Sequence, residues 1–133
     1  MKAFSLTGIN HSIPKASNMS ADILAGELVH INSNGQGTNV IGSASLALPA
    51  KKDVKKDSLQ DIEVALSGVA VVKVSDYSNI VVGSPLTIGD DGKGVKVAGT
   101  GEFQIGLAMQ KPESTTEFIS VLINSVAKAG NLY

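Results

Sequence analysis

The chain contains no cysteine, no arginine and no tryptophan among its 133 residues. Without cysteine it can form no disulfide, no thiolate metal site and no thiol nucleophile. Arginine supplies the forked contact to phosphates and guanine edges, so its absence argues against nucleic-acid recognition and phosphoryl chemistry. A net charge of -1 also provides no global field that would hold nucleic acid or an anionic membrane.

Long apolar runs and catalytic motifs are missing as well. No stretch approaches the roughly 20 apolar residues of a transmembrane helix, and Asn10, His11 and Ser12 interrupt the apolar segment that a signal peptide needs. We therefore expect a soluble protein made in a cytoplasm. There is no G-x-S-x-G nucleophile elbow and no H-E-x-x-H zinc motif, and the glycines form neither a Rossmann fingerprint nor a Walker loop. The sequence predicts a protein that is not an enzyme and has no cofactor or metal.

Two histidines and one acidic turn are the remaining candidates for chemistry. His30 lies in a predicted strand, and its counterpart in the repeat described below is Thr87, which favours a solvent-facing position. His11 lies in a polar stretch, and neither histidine has the partner groups that a catalytic or metal site needs. Asp91 sits in an acidic turn, which suggests calcium binding. The matching turn in the other copy has no carboxylate, so a turn role explains both copies whereas a metal site explains only one.

Branched aliphatic residues and glycines dominate what the chain does contain. Hydrophobic residues make up 43% of the chain, mostly Val, Ile, Leu and Ala, and there are 14 glycines. Strands of branched residues joined by tight glycine turns are typical of all-β proteins. The length fits one domain with its own core. We predict an all-β fold, a compact β-sandwich or barrel-like head built from two related halves, with an extended N-terminal arm.

An internal repeat underlies the prediction of two halves. Residues 23–42 align without gaps on residues 80–99, and seven positions are identical: Ile23/Ile80, Gly26/Gly83, Ile31/Ile88, Gly35/Gly92, Gly37/Gly94, Val40/Val97 and Gly42/Gly99. Two copies are too few for a long solenoid. The sequence predicts an arm over residues 1–20 and a single β domain over residues 21–133.

Glycine turns set the predicted strand pairing. Asn34-Gly35 and Asp91-Gly92 favour the positive φ angles of tight hairpins, and Gly37 and Gly94 follow two residues later, which suits a bulge. Residues 27–32 should then pair with 38–42, and residues 85–89 with 94–98. Further strands are predicted over 62–66, 69–74, 103–109 and 118–123, with 69–74 buried on both sides because it is nearly continuously apolar.

A charged segment over residues 49–61 separates the two halves. It carries the lysine pairs Lys51-Lys52 and Lys55-Lys56 beside two aspartates. One interpretation is a solvated loop, and the other is an electrostatic contact to an acidic partner surface. Ser58 followed by Asp61 also resembles a helix capping box, which leaves a helical turn open.

Five short motifs, in their order along the chain, resemble one protein family. They are Gly68-Val69-Ala70, Val82-Gly83-Ser84-Pro85-Leu86-Thr87-Ile88, Asp91-Gly92-Lys93-Gly94-Val95, Ile105-Gly106-Leu107-Ala108 and Ser120-Val121-Leu122-Ile123. Together they are similar to the cement, or decoration, proteins of tailed-bacteriophage capsids. The likeness covers roughly residues 21–126, and the lysine-rich segment departs from it.

The resemblance implies a virion structural protein without catalytic residues. Such a protein is made in the host cytoplasm, forms a homotrimer on the outer capsid surface, binds the major capsid protein and stabilises the shell. The arm would reach the shell or a neighbour. The candidate contacts are Phe4, Leu6, Ile9 and Ile13 in the arm and Lys51, Lys52, Lys55 and Lys56 in the charged segment.

Two other functions remain open from the sequence. A virion-surface or secreted β-domain that binds host surface glycans is the first, although an aromatic content of 4% provides few platforms for sugars. A small hydrolase that uses His30 or His11 is the second, and no convergent polar cluster favours it.

Overall fold

The structure, a computed structural model, describes residues 9–41 and 46–126. These residues form ten strands: β1 Asn10–Ile13, β2 Leu28–Ile31, β3 Gly37–Thr38, β4 Leu46–Pro49, β5 Ile62–Ala65, β6 Gly68–Lys73, β7 Pro85–Ile88, β8 Val95–Val97, β9 Gln104–Ala108 and β10 Phe118–Val126. The described part contains no helix, and so none that could span a membrane. The predicted all-β fold class is confirmed.

The strands form three antiparallel sheets in a sandwich-like arrangement. One sheet has the order β6-β10-β9-β7-β8, a second β3-β2-β4, and the third pairs β1 with β5. A parallel bridge between Val74 and Val95 brings the end of β6 beside β8, so the two edges of the five-stranded sheet meet there. The sheet is therefore closed at the C-terminal end of β6, and any unpaired edge of this strand lies nearer its N-terminal end.

One continuous apolar core joins the three sheets. Its largest fully buried side chains come from all of them, and they include Leu28, Ile62, Val64, Val72, Leu86, Ile105 and Ile119. Full burial of one such side chain contributes roughly 1.5–3 kcal/mol. Because the cluster is continuous, the halves share a core and hold each other in place.

The two related segments have the same local structure. β2 and β7 begin and end at equivalent positions of the repeat alignment, and each follows a glycine with positive φ, 89° at Gly26 and 92° at Gly83. Just before each strand a backbone N–H donates to a side chain three residues on. Leu24 donates to the Glu27 carboxylate at 3.0 Å, and Val81 donates to the Ser84 hydroxyl at 2.9 Å. The same turn thus starts both hairpins.

The predicted hairpins form to different extents. In the second, Leu86 lies opposite Val97 and Ile88 opposite Val95, as the pattern indicates. In the first, β3 is only two residues long, with Thr38 opposite His30, so the predicted pairing of 27–32 with 38–42 is only partly present. Gly42 lies outside the described residues.

Two predictions differ from the structure. Residues 69–74 were expected to be buried on both sides, but β6 is an edge strand and Val71 is 58% exposed. An apolar run shows that a segment is hydrophobic, but it does not show whether other strands pair with it on both sides. The predicted arm also extends too far, because β1 pairs with β5 and Ala16 is buried. Residues 1–8 lie outside the described residues.

Candidate functional site

An apolar row crosses the outward face of the five-stranded sheet. Four residues lie directly opposite one another on four neighbouring strands: Val69 on β6, Leu122 on β10, Leu107 on β9 and Pro85 on β7. The alternate positions Ala70 and Val121 are buried in the core. Since side chains alternate between the two faces of a strand, the row points away from the core.

Two exposed residues extend this row. Val71 is 58% exposed and Phe118 is 40% exposed, and they occupy outward positions on β6 and β10. We call these six residues the outer apolar face. A contiguous apolar patch of this kind on a protein surface is typical of an interaction site.

The edge of β6 beside this face carries backbone groups that have no partner among the residues the structure describes. The Lys73 N–H donates to the Gly26 carbonyl at 2.8 Å, away from β10. Hydrogen-bonding direction alternates along an antiparallel strand, so the N–H and C=O groups of Val69 and Val71 point the same way as those of Lys73. Within residues 9–41 and 46–126, no group pairs with them.

These backbone groups face a cleft of about 410 Å³. Its lining is Ala25, Gly26, Ala50, Lys51, Val69, Ala70, Val71 and Phe118. Ala25, Gly26 and Ala50 form most of the wall opposite β6. Gly26 lies closest to the strand, because a Cβ there would be 3.3 Å from the Val71 carbonyl oxygen and 2.8 Å from the Phe118 ring. The cleft thus combines an apolar lining with a row of unpaired peptide groups.

An ion pair fixes one end of the cleft. The carboxylate of Glu27, whose side chain is 9% exposed, lies 3.3 Å from the Lys73 ammonium. Its other oxygen accepts from the Leu24 N–H at 3.0 Å. Because the Glu27 carboxylate contacts both the turn at Leu24 and Lys73 of β6, it holds the Ala25–Gly26 wall at a fixed distance from β6.

His30 joins the two halves, and the prediction that it faces solvent is wrong. It is 3% exposed, and its Nε2 lies 2.6 Å from the Gly92 carbonyl. A carbonyl only accepts, so Nε2 carries the proton; Nδ1 has no partner in the described part of the chain. Its repeat counterpart Thr87 is also buried, at 4% exposed. The alignment of Thr87 with His30 therefore marks a buried polar position in both halves. His30 is buried because β2 packs against the second hairpin.

Asp91 organises the turn of the second hairpin. Burial acts to raise the pKa of the Asp91 carboxyl, but hydrogen bonds from the Ser75 hydroxyl and from the N–H groups of Lys93 and Gly94 outweigh it and lower that pKa. The Lys93 N–H lies 2.9 Å from the carboxylate. The Asp91 carboxylate thus accepts hydrogen bonds from the turn backbone and from Ser75.

The four turn glycines meet two different requirements. Gly35 and Gly92 have φ angles of 76° and 73°, where a side chain is strained. Gly37 and Gly94 lack positive φ and are instead crowded. A Cβ on Gly37 would lie 2.7 Å from Val29 Cγ1, and one on Gly94 would lie 2.7 Å from the Lys73 carbonyl oxygen. A bulge was predicted at these two positions, but the structure shows that neighbouring segments of the chain approach each other closely there.

The predicted contacts of the arm are separated by the fold. Ile9 is 66% exposed, whereas Ile13 is 5% exposed and packs in the core. Ile13 therefore contributes to folding and is not available to a partner. Phe4 and Leu6 lie outside the described residues.

The predicted lysines have different surroundings. Lys51 lines the cleft, and Lys55 lies 3.9 Å from Asp22 in an exposed ion pair. Lys52 and Lys56 are exposed. The segment forms no helix; instead, a ring of oxygens surrounds the Lys15 ammonium, comprising the carbonyls of Lys55, Lys56 and Ser58 and the Ser58 hydroxyl.

The sequence did not identify the cleft or the outer apolar face. Val71 and Phe118 were placed in strands, but nothing marked them as exposed. The only signal was the nearly continuous apolar run at residues 69–74, which is also consistent with a central strand. Distinguishing the two requires knowledge of what lies beside β6.

Comparisons with known proteins do not assign the chain. No family model, no curated protein and no solved structure matches it. Within the described residues, no group of three or more histidine and carboxylate side chains is placed to hold a metal ion. A functional proposal depends on the surface geometry and on the motifs that resemble cement proteins.

Proposed function

We propose that this protein is a virion structural protein that binds the outside of a bacteriophage capsid as a homotrimer and stabilises the shell. Its partners are further copies of itself and the major capsid protein. It acts on the outer capsid surface after synthesis in the host cytoplasm. The observation that carries the proposal is the outer apolar face beside the unpaired edge of β6.

The geometry of this surface supports adhesion. Apolar side chains on paired strands have fixed positions, so little conformational entropy is lost when they bind a partner. Burying an exposed valine or phenylalanine contributes roughly 1.5–3 kcal/mol. A few such residues give a weak contact per subunit, and a trimer that engages the shell at three points multiplies its strength.

Cyclic assembly also suits the edge of the sheet. An unpaired edge invites pairing with another chain, and closed rings of subunits leave no copy of the contact unused. The five motifs that resemble cement proteins include the start of β6, where Val69 and Ala70 line the cleft, and the segment Ser120–Ile123 of β10, which pairs with it. The resemblance and the surface thus support the same function from separate observations.

Native mass and virion imaging test the proposal together. We expect the purified protein to have three times the monomer mass, and cryo-electron microscopy of virions to show density for this chain at three-fold positions of the outer shell. A monomer in solution combined with an undecorated shell in virions that carry this gene would contradict the proposal.

A charge placed on the outer apolar face tests which surface binds. Val71→Asp adds a carboxylate at a position 58% exposed, so the subunit should fold, whereas binding would bury the charge without a partner. We expect capsid affinity to fall at least about tenfold, which corresponds to 1.4 kcal/mol. Binding is measured by sedimentation with shells that lack the protein.

Leu59→Asp is the matched control, because Leu59 is fully exposed on the charged segment. It adds the same charge in place of an exposed aliphatic side chain that lies outside the outer apolar face, and it should leave affinity unchanged. Equal binding by the parent and the Val71→Asp variant would remove the outer apolar face from the contact.

A further inference from the structure

We infer that Pro14 and Pro85 confine the contact between the two halves to a single chain, so that copies of this protein do not join end to end. The inference deepens the homotrimer of the proposed function and rests on it only for its purpose, because a closed trimer must not also grow into a filament. It identifies the contact that copies are prevented from making, and its test does not involve the capsid.

Each half of the chain forms one five-stranded unit with the same strand order. The second unit has the order β6-β10-β9-β7-β8. In the first half, Ala50, which directly follows β4, bridges Val64 of β5. This bridge joins the two smaller sheets into the order β1-β5-β4-β2-β3, so strands β1 to β5 correspond in turn to strands β6 to β10.

The closure of the two units aligns them residue by residue. A parallel bridge joins Lys15, after β1, to β3 in the first unit, and another joins Val74, after β6, to β8 in the second. Pro14 and Lys73 directly precede these bridging residues. The same backbone position is therefore occupied by Pro14 in the first unit and by Lys73 in the second.

Backbone hydrogen bonds at the start of β2 join the two units. The Lys73 N–H donates to the Gly26 carbonyl at 2.8 Å, and the Leu28 N–H donates to the Lys93 carbonyl at 2.9 Å. Gly83, the counterpart of Gly26, is instead exposed, and a Cβ on it would meet nothing within 4 Å in the described part of the chain. The contact therefore runs one way, from the first unit to the second.

A one-way contact between like units leaves an unused face at each end of the chain. The second unit presents the surface around Gly83. The first unit presents the outer edge of β1 and the turn at Gly35, which is also exposed and has space for a Cβ. Repeated from one chain to the next, such a contact builds rings or open filaments.

Proline occupies both positions whose N–H groups would join one chain to the next. Pro14 is the counterpart of Lys73. Pro85 begins β7 as Leu28 begins β2, so these two residues are counterparts as well. Because proline has no N–H, neither hydrogen bond can form between chains. Proline at a strand edge or at the first residue of a strand is a common way to prevent further pairing.

Polar side chains at the outer edge of β1 add to this block. Within the chain, the Phe118 ring lies against Gly26, and Val71 lies beside it. By strand register, the counterparts of these two residues in the first unit are Asp61 and Ser12, both exposed. A carboxylate and a hydroxyl thus replace the apolar side chains of the contact within the chain.

Restoring the contact residues tests the inference. The quadruple variant Ser12→Val/Pro14→Lys/Asp61→Phe/Pro85→Leu gives both free faces the residues of the contact within the chain. Its weight-average mass, measured by sedimentation equilibrium, should rise with concentration to at least twice that of the parent. The control Ser12→Val/Asp61→Phe adds the same apolar side chains but keeps both prolines, so its mass should match that of the parent.

Adding Gly83→Ala to the quadruple variant separates the inferred contact from general aggregation. A Cβ on Gly26 would lie 2.8 Å from the Phe118 ring, so the same contact between chains leaves no room for a Cβ on Gly83. We expect the rise in mass to disappear. Gly83 has a φ of 92°, so urea unfolding is measured to show that this variant is still folded.

Equal masses for the quadruple variant and its control would overturn the inference, whether both associate or neither does. Association that persists with Gly83→Ala would overturn it too. A parent that is a monomer would contradict the proposed homotrimer, yet these comparisons would still decide whether the prolines block the contact between ends.

The reverse substitution places the same block inside the chain. Lys73→Pro removes the N–H that donates to Gly26, whereas Lys73→Ala keeps that N–H and removes the same side chain. The Leu28 amide, which donates across this contact, should exchange with solvent several-fold faster in Lys73→Pro than in Lys73→Ala. The Val121 amide should exchange equally in both and so report intact folding of β10. Equal Leu28 rates would contradict the inference.

Discussion

Adding one methyl group at Gly94 should destabilise the protein more than adding one at Gly35. A Cβ on Gly94 would lie 2.7 Å from the Lys73 carbonyl oxygen and 2.8 Å from the Ser75 nitrogen. Both atoms are backbone, so neither can rotate away. The Cβ can be accommodated only if the end of β6 moves from the second hairpin.

The structure sets the size of the effect. That movement would weaken the hydrogen bond from the Ser75 N–H to the Val95 carbonyl, 2.9 Å, and the one from the Gly94 N–H to the Ser75 hydroxyl, 3.0 Å. Each such bond contributes about 1 kcal/mol, and overpacking costs typically 1–3 kcal/mol. We expect Gly94→Ala to lower the free energy of unfolding by about 3 kcal/mol.

Gly35→Ala isolates the effect of backbone conformation. Gly35 has a φ of 76°, and a Cβ there would meet nothing within 4 Å, so its cost is the left-handed strain alone, roughly 1–2 kcal/mol. Urea unfolding of both variants, at one protein concentration and with equal m values, measures the difference. If Gly94→Ala costs no more than Gly35→Ala, the close approach of β6 to the hairpin does not constrain this fold.

Two further predictions concern the second hairpin and the charged segment. The folded state lowers the pKa of Asp91 below its ordinary value of 3.8. The stability that the Asp91 carboxylate contributes is therefore present above about pH 4 and is lost as the pH falls through the folded pKa. Asp91→Asn should be less stable than the parent at neutral pH, and the stabilities of the two proteins should converge in acid. Denaturation midpoints from pH 2 to 7 measure this, and a constant difference across that range would contradict it. Lys15→Met removes the ammonium that bonds the carbonyls of the charged segment, so trypsin should cut at Lys55 several-fold faster than in the parent. Lys52→Met serves as the control, and equal cutting in the two variants would show that Lys15 does not order the segment.

Local sequence patterns predicted eight of the ten strands that the structure describes, all except β1 and β4, for a physical reason. Strand positions and tight turns depend on branched side chains and on glycine conformation within a few residues. β7 and β8 therefore lie where the Asp91-Gly92 turn places them. β3 is shorter than predicted, because a turn sets where a hairpin starts and cross-strand packing sets how far it continues.

The candidate site was less predictable than the strands. Its residues are separated by up to 93 positions, from Ala25 to Phe118, and no local pattern reports such a distance. The exposure of Val71 depends on which strands pair with β6. The burial of His30 depends on the approach of Gly92, 62 residues away. Whether a side chain is buried or exposed depends on the segments that pack around it, and the sequence of one segment does not specify those neighbours.

The sequence by itself determined the all-β class, the hairpin turns and the absence of thiol chemistry, because these follow from residue types and their local spacing. The tertiary structure alone decided that β6 lies at an edge, that a cleft opens beside it and that His30 is enclosed. These features depend on how three sheets pack around one core, and long-range packing fixes them only when the whole chain has folded.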